Sequence, residues 1–184
     1  AEALQLVTMD PEIKSVADLK GKKVSIGAAG SGVYFNAMDV LAAAGLTEAD
    51  IIPQYQSFGD SADALKDRKI DAAFIVAGAP TPAIQELCTS ATAYLVPIDG
   101  DIAAKLMASS PYYTTYKVPA GTYNGQTSDV TTVTVKATLI VSTSASEDAV
   151  YNVTKAIFDN IDTITAAHAK GAELSLQNAT DGMT

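Results

Sequence analysis

The sequence predicts an α/β fold with a parallel sheet at its core and helices on its flanks. From Lys22 to Gly100, short β-branched or apolar runs alternate with helical patterns, which is typical of βαβ units. One of these runs, Ala72–Ala77, is apolar at nearly every position, as expected for a strand that is buried on both faces. These two observations place the parallel strands in the first part of the chain.

Strands and helices alternate regularly in this region. The predicted strands are Lys22–Gly27, Ile51–Gln56, Ile70–Ala77 and Thr92–Ile98, and the predicted helices are Val33–Ala44, Ser61–Lys69, Pro82–Ser90 and Asp101–Ser109. Before them, Leu4–Thr8 also predicts a strand.

The pattern changes after Ser110. Tyr112–Asp129 is rich in Tyr, Thr, Gly and Pro, and is predicted to be irregular. Val130–Ser142 is dense in Val and Thr, which predicts one long strand or two strands joined by a bend. Ser146–Ala167 carries apolar residues at helical spacing and begins with Ser146, a favourable N-cap, so it is predicted to be a helix.

Composition excludes several classes of partner. Hydrophobic residues make up 48% of the chain and charged residues 18%, which indicates a soluble globular protein. The formal net charge of −9 argues against nucleic acid and anionic membranes as partners, because both require a basic face. The single cysteine, Cys88, excludes an internal disulfide bond. No apolar run reaches the roughly 20 residues that a membrane-spanning helix needs.

The loops that follow the strands are the candidate binding sites, because ligands of open α/β sheets bind beyond the carboxyl ends of the strands. The first loop contains Gly30, Ser31 and Gly32 directly before a helix, where free N–H donors suit a carboxylate or a phosphate. The alternative is that these glycines only serve the turn and the helix cap. A third loop contains Gly78 and ends in Thr81, a good N-cap before a proline.

Residue types needed for catalysis are missing from these loops. The four strand-to-helix loops are residues 27–32, 56–61, 77–82 and 98–100, and none of them contains His, Cys, Lys, Arg or Glu. His168 lies near the end of the last predicted helix, and Cys88 is expected to be a buried small apolar residue. Without a second His or Cys there is no nucleophile–base pair and no zinc site, so we expect no catalytic residue, metal or cofactor.

Four stretches carry a family resemblance. The run Ile13–Gly32 resembles the start of the second lobe in type II periplasmic binding proteins. Further along, Ile70–Gln85, Leu95–Gly100 and Val118–Val135 resemble the TAXI subfamily of the TRAP transporter solute receptors. The four stretches follow one another in the same order and extend over most of the chain.

The resemblance implies a two-lobed, non-enzymatic receptor in the periplasm or at the cell surface, with a lipid anchor as an open alternative. Such a receptor binds glutamate or a related carboxylate and delivers it to membrane-embedded TRAP permease subunits. Residues 21–135 would form a complete second lobe, and residues 1–20 and 136–184 the crossing strands and the C-terminal helix of an incomplete first lobe. We then expect Leu4–Val7 to be exposed, which would favour self-association.

The resemblance also implies which residues line the ligand cleft. Val33 stands where the family usually has threonine, so one hydroxyl contact is lost. The expected ligand-binding residues are Gly30, Ser31, Gly32, Val33, Asn36, Ser57, Gly78, Thr81 and Tyr123.

Two other classes of function remain open at this point. The first is an enzyme on the same two-lobed fold, such as a phosphoribosyltransferase or a deaminase, which would need acid–base or cofactor groups in the cleft. The second is the effector-sensing domain of a transcription regulator.

Overall fold

The computed structural model describes residues 2–180 and divides the chain into two compact units, one ending at Lys136 and the other beginning at Ala137. The α/β class, with a sheet flanked by helices, is confirmed. The first unit contains β1 (Glu2–Thr8), β2 (Lys23–Ser25), α1 (Gly32–Ala43), β3 (Ile52–Gln54), α2 (Phe58–Lys66), β4 (Ala72–Ala77), α3 (Pro82–Ser90), β5 (Tyr94–Val96), α4 (Gly100–Ser109), β6 (Thr114–Val118) and β7 (Val130–Val135), and the second contains α5 (Glu147–Asp159) and α6 (Ile161–Ala167).

The seven strands of the first unit form one mixed sheet. Its order is β3-β2-β4-β1-β7-β6. Strand β5 pairs with the second half of β1, on the same edge of β1 whose first two residues pair with β7. The predicted parallel core is confirmed for β3, β2 and β4. The sheet is not parallel throughout, because β1 runs antiparallel to β4, β5 and β7 and separates β5 from the parallel strands.

Two core clusters lie on opposite faces of this sheet, since side chains alternate along each strand. Within β4, Phe74 belongs to the cluster that packs α1 and α4, and Ile75 belongs to the cluster that packs α2 and α3. The first five residues of β4 are buried, which confirms the expectation of a strand covered on both faces. The same alternation places Leu6 of β1 with α1 and Val7 with α2 and α3.

The expectation that Leu4–Val7 is exposed is wrong. These residues are all buried, because β1 lies inside the sheet between β4 on one edge and β5 and β7 on the other. The reason given for self-association therefore does not hold.

Two predicted segments differ in the structure. The region expected to be irregular contains β6, because its Thr-Thr-Tyr-Lys-Val run pairs antiparallel with β7. The strand expected over Val130–Ser142 ends at Val135, and residues 136–142 are exposed and lie outside the sheet. A strand forms only beside a hydrogen-bonded neighbour, which β propensity alone does not provide.

The second unit contains the predicted C-terminal helix in two pieces. Ser146 caps α5 as expected, with its Oγ accepting a hydrogen bond from the N–H of Ala149 at 3.3 Å. The helix is interrupted at Asn160, whose backbone leaves the helical region and whose side chain donates to the carbonyl of Ala156 at 2.8 Å.

The central position of β1 gives a stability prediction. Leu6→Ala should lower the free energy of unfolding of the first unit by about 2–5 kcal/mol, because it leaves a cavity in a fully buried layer. Ile140→Ala is the control, since Ile140 is 84% exposed and its truncation should change stability little. Urea unfolding measures both, and equal midpoints for the two variants would contradict the placement of β1.

Candidate functional site

The strand-to-helix loops meet along one edge of the sheet. Because β2, β3 and β4 run parallel, their carboxyl ends and the helix starts that follow them share this edge. The first two loops are joined directly, since the N–H of Ile26 donates to the carbonyl of Gln54 at 2.9 Å. We call this the carboxyl edge; it carries the starts of α1, α2 and α3.

The helices reach the carboxyl edge from both faces of the sheet. Helix α1 packs on one face with α4, whereas α2 and α3 pack on the other. Strand β2, which leads into α1, lies directly beside β4, which leads into α3. Adjacent parallel strands whose helices leave in opposite directions form a crevice, and this is where open α/β sheets bind ligands.

The first loop is a capped helix start. The hydroxyl of Ser31 accepts a hydrogen bond from the N–H of Tyr34 at 3.2 Å, and the carbonyl of Ser31 accepts one from Phe35 at 3.3 Å. These bonds satisfy two of the four N–H groups that begin α1. The N–H groups of Gly32 and Val33 have no acceptor among the described residues, and Gly32 is exposed.

Gly27 allows this loop to fold against the helix, although the sequence pattern does not distinguish it from the other glycines of the loop. Its φ is +79°, and a Cβ there would lie 2.6 Å from Cβ of Val33 and 2.9 Å from Oγ of Ser31. Val33 itself is half-buried and packs against the core. Gly30 also has a positive φ, +71°, but a Cβ there would meet nothing within 4 Å.

In the second loop, between β3 and α2, the Ser57 hydroxyl is hydrogen-bonded to Asp60. The hydroxyl of Ser57 accepts from the N–H of Asp60 at 3.2 Å and donates to the carboxylate of Asp60 at 2.6 Å. A buried hydroxyl contact at 2.8 Å joins Ser25 of β2 to Ser61 of α2 and fixes this helix start. Ser57, although it lies on the carboxyl edge, has both hydrogen-bonding functions of its hydroxyl engaged.

The third loop, between β4 and α3, is held by hydrogen bonds to buried groups. Thr81 is buried, its N–H donates to the hydroxyl of Tyr123 at 2.9 Å, and its own hydroxyl donates to the carbonyl of Gly78 at 3.0 Å. Tyr123 is also buried, and burial raises the pKa of its phenol. The structure therefore joins Gly78, Thr81 and Tyr123, but turns the side chains of Thr81 and Tyr123 away from solvent.

Asn36 lies one turn into α1 and points toward a tyrosine. Its amide donates to the hydroxyl of Tyr113 at 2.8 Å, and that hydroxyl donates to the carboxylate of Asp39 at 2.6 Å. Burial and the hydrogen bond to Asp39 raise the pKa of Tyr113. Asn36 therefore contributes to the attachment of the segment before β6 to α1.

An aromatic and acidic cluster beside the first loop was not predicted. The hydroxyls of Tyr34 and Tyr55 both donate to the carboxylate of Glu48, at 3.0 Å in the case of Tyr34. The ring of Tyr34 lies 5.4 Å from that of Phe35 and 6.3 Å from that of Tyr55. Glu48 lies 14 positions after Tyr34 and seven before Tyr55, so no helical or strand periodicity indicates the cluster.

The remaining candidates lie away from this edge. Cys88 is buried in the core, as expected, and burial raises the pKa of its thiol. His168 follows α6, and its Nδ1 accepts from the N–H of Lys170 at 3.1 Å. Within residues 2–180, no group of three or more His, Cys, Asp or Glu is arranged to hold a metal ion. No helix in the same range is long and apolar enough to cross a membrane.

Comparison with known proteins identifies the family. The profile of the NMT1-like family matches residues 1–184, so this chain belongs to the NMT1-like family.

Similar solved structures include two sulphonate-binding proteins called SsuA. The periplasmic aliphatic sulphonate binding protein of Escherichia coli is 28% identical with a TM-score of 0.44, and the alkanesulfonate-binding protein of Xanthomonas axonopodis pv. citri is 32% identical with a TM-score of 0.43. The matches cover 51% and 52% of this chain but only 29% and 31% of those proteins. The substrate binding protein of an amino acid ABC transporter is 13% identical, with a TM-score of 0.45 over 88% of this chain and 54% of its own.

The close approach at Gly27 gives a second prediction. Gly27→Ala should lower the free energy of unfolding by about 2–4 kcal/mol, because strain at positive φ and a clash with Val33 add together. Gly21→Ala is the matched control, since Gly21 has a φ of +75° but open space around its Cβ position. Urea unfolding should show the larger loss for Gly27→Ala, and equal losses would show that the contact with α1 is unimportant.

The cluster around Glu48 gives a third prediction. The hydrogen bonds to the Glu48 carboxylate raise the pKa values of Tyr34 and Tyr55, because they favour the neutral phenols. Glu48→Gln should therefore bring both pKa values back toward about 10. Absorbance of the tyrosinate, followed as pH rises, measures this, with Glu12→Gln as a control because Glu12 contacts Lys14 instead. An unchanged titration curve in Glu48→Gln would contradict the assigned contacts.

Proposed function

We propose that this protein is a solute receptor whose first unit binds the anionic group of a small organic molecule at the start of α1. The observation that carries the proposal is the pair of N–H groups at Gly32 and Val33, which have no acceptor within residues 2–180 and lie beside the β2–β4 crevice. Backbone N–H groups at a helix start, together with the positive end of the helix dipole, favour a carboxylate or another oxyanion. The start of α3 adds a third donor, the N–H of Ala83.

The distribution of acidic residues supports this location. The first turns of α1 and α3 contain no Asp or Glu, whereas Asp60 lies in the first turn of α2 and Asp101 in that of α4. A carboxylate at a helix start contributes typically about 0.3–1 kcal/mol of favourable interaction with the dipole and repels a second anion. An incoming anion should therefore prefer α1 and α3 to α2 and α4.

The overall charge does not oppose this binding strongly. The chain has a net charge of −9, but exposed charges are screened over about 8 Å at physiological ionic strength. The loops of the carboxyl edge contain no Lys or Arg, so backbone N–H groups would hold the anion. Such a site binds one anionic group without a bidentate clamp, and the rest of the ligand must be recognised elsewhere.

The ligand class, the cellular location and the transporter partner that we propose rest on the TAXI resemblance. We infer that the ligand is glutamate or a related carboxylate, that the receptor acts in the periplasm or at the cell surface, and that it delivers the ligand to TRAP permease subunits. We propose a receptor and not an enzyme because the loops of this edge contain no His, Cys, Lys, Arg or Glu.

The proposed two-lobed organisation has support from strands β1 and β7. Glu2 pairs with Val135, so the start of β1 and the end of β7 lie side by side at the carboxyl edge. We propose that residues 21–135 form one lobe together with β1, which lies in its sheet, and that residues 136–184 contribute a C-terminal helix to the other.

A donor-deleting substitution tests the anion site. Gly32→Pro removes the N–H of Gly32 but suits the first position of a helix, and Ser31 before it already has the extended backbone that precedes proline. L-glutamate should raise the thermal unfolding temperature of the wild type and raise that of Gly32→Pro much less. Stabilisation at about 100 times the dissociation constant is about 2.7 kcal/mol.

Gly32→Ala is the matched control. It keeps the N–H, and its Cβ would meet nothing within 4 Å, so its response to glutamate should equal that of the wild type. Succinate and an alkanesulfonate, tested in parallel, separate carboxylates from other oxyanions. If no dicarboxylate or amino acid shifts the wild type, or if Gly32→Pro responds like Gly32→Ala, the proposed site is wrong.

A further inference from the structure

A buried cluster of three polar side chains lies behind the third loop of the first unit. It joins Gln5 of β1, Thr81 before α3, and Tyr123 of the segment between β6 and β7, and these side chains belong to residues that are only 2%, 4% and 3% exposed. Buried polar groups cost free energy unless they are hydrogen-bonded, so three of them at one place require an explanation. The function proposed above uses none of these three side chains directly.

In this cluster each group donates a hydrogen bond to the next, so the donor and the acceptor of every bond are fixed. The N–H of Thr81 donates to the hydroxyl of Tyr123 at 2.9 Å, which leaves the proton of that hydroxyl for the Gln5 side-chain oxygen. This orients the Gln5 amide so that its Nε2 donates to Oγ1 of Thr81 at 2.9 Å. The proton of Thr81 then goes to the carbonyl of Gly78 at 3.0 Å. Each step fixes the orientation of the next group.

The hydrogen bonds of this cluster fix the position of Thr81, the residue that precedes α3. Thr81 has its N–H and its hydroxyl bonded inward, while its carbonyl accepts from the N–H groups of Ile84 and Gln85 at 3.1 and 3.0 Å. Pro82 has no N–H, so Ala83 is the one residue in the first turn of α3 whose N–H has no acceptor among the described residues. The position of that donor is therefore set by Thr81.

We propose that Gln5 and Tyr123 are positioning residues that hold Thr81, and through it the N–H of Ala83, at the carboxyl edge without touching the ligand. The proposal deepens the proposed function and rests on it for the identity of the ligand. It assigns to Thr81 and Tyr123 a different role from the ligand contact that the family resemblance implies. Gln5 acquires a role through its position on β1, where its neighbours Leu4 and Leu6 face the other core cluster.

Tyr123→Phe is the variant that tests this role. It removes one hydroxyl and leaves the N–H of Thr81 and the Gln5 oxygen without partners. We expect amide hydrogen exchange at Thr81, Ile84 and Gln85, measured by NMR on the full chain without ligand, to become roughly tenfold faster. Tyr113→Phe is the matched control, because Tyr113 is equally buried but its hydroxyl contacts Asn36 and Asp39.

Two substitutions of Thr81 distinguish loss of these hydrogen bonds from loss of the fold. Thr81→Ser keeps the hydroxyl and the N–H, so exchange at Ile84 and Gln85 should stay close to that of the wild type. Thr81→Val keeps the shape but loses the hydroxyl, and it should accelerate exchange as Tyr123→Phe does. If Tyr123→Phe exchanges no faster at the start of α3 than Tyr113→Phe, or if Thr81→Ser and Thr81→Val behave alike, the positioning role is wrong.

Titration with L-glutamate separates this proposal from the proposed function. If the wild type binds glutamate, Tyr123→Phe should bind it roughly tenfold more weakly and Tyr113→Phe should bind it unchanged. Equal affinity in all three proteins would overturn the positioning role. If the wild type binds no glutamate but exchange at α3 still accelerates in Tyr123→Phe, the ligand proposal fails while the positioning of α3 is supported.

Discussion

The structure depends on the insertion of β1 into the middle of the sheet. One edge of this strand pairs with β4 from Ala3 to Thr8, and the other pairs with β5 and β7. Because its side chains alternate, Leu4 and Leu6 fill one core cluster while Gln5 and Val7 face the other side. A single strand therefore supports both helical layers and also supplies the polar contact that holds the third loop.

The chemistry of the carboxyl edge is set mainly by backbone groups. Helices α1 and α3 approach the β2–β4 crevice from opposite faces with N–H donors that lack acceptors within the described part of the chain. The acids at Asp60 and Asp101 occupy the starts of α2 and α4 instead. This distribution explains how a chain with a net charge of −9 can offer a local site for an anion.

The sequence predicts the local features well and the long-range ones poorly. Alternation of apolar runs predicts β4, and the capping signals of Thr81 and Ser146 place two helix starts, since both depend on neighbouring residues. The position of β1 and the Gln5–Tyr123 contact depend on pairings between distant parts of the chain, which leave no periodic pattern. For the same reason, Tyr123 could be selected by resemblance but its burial could not be predicted.

The central claim is that backbone N–H groups at the starts of α1 and α3 bind the anionic group of a small molecule. It is tested most directly by titrating the isotopically labelled chain with L-glutamate and following every backbone amide by NMR. The account predicts that the amide signals of Gly32, Val33 and Ala83 move the most and move downfield, as they do when an N–H gains a charged acceptor. Saturable shifts confined to the starts of α2 or α4, or no shifts at all, would contradict it.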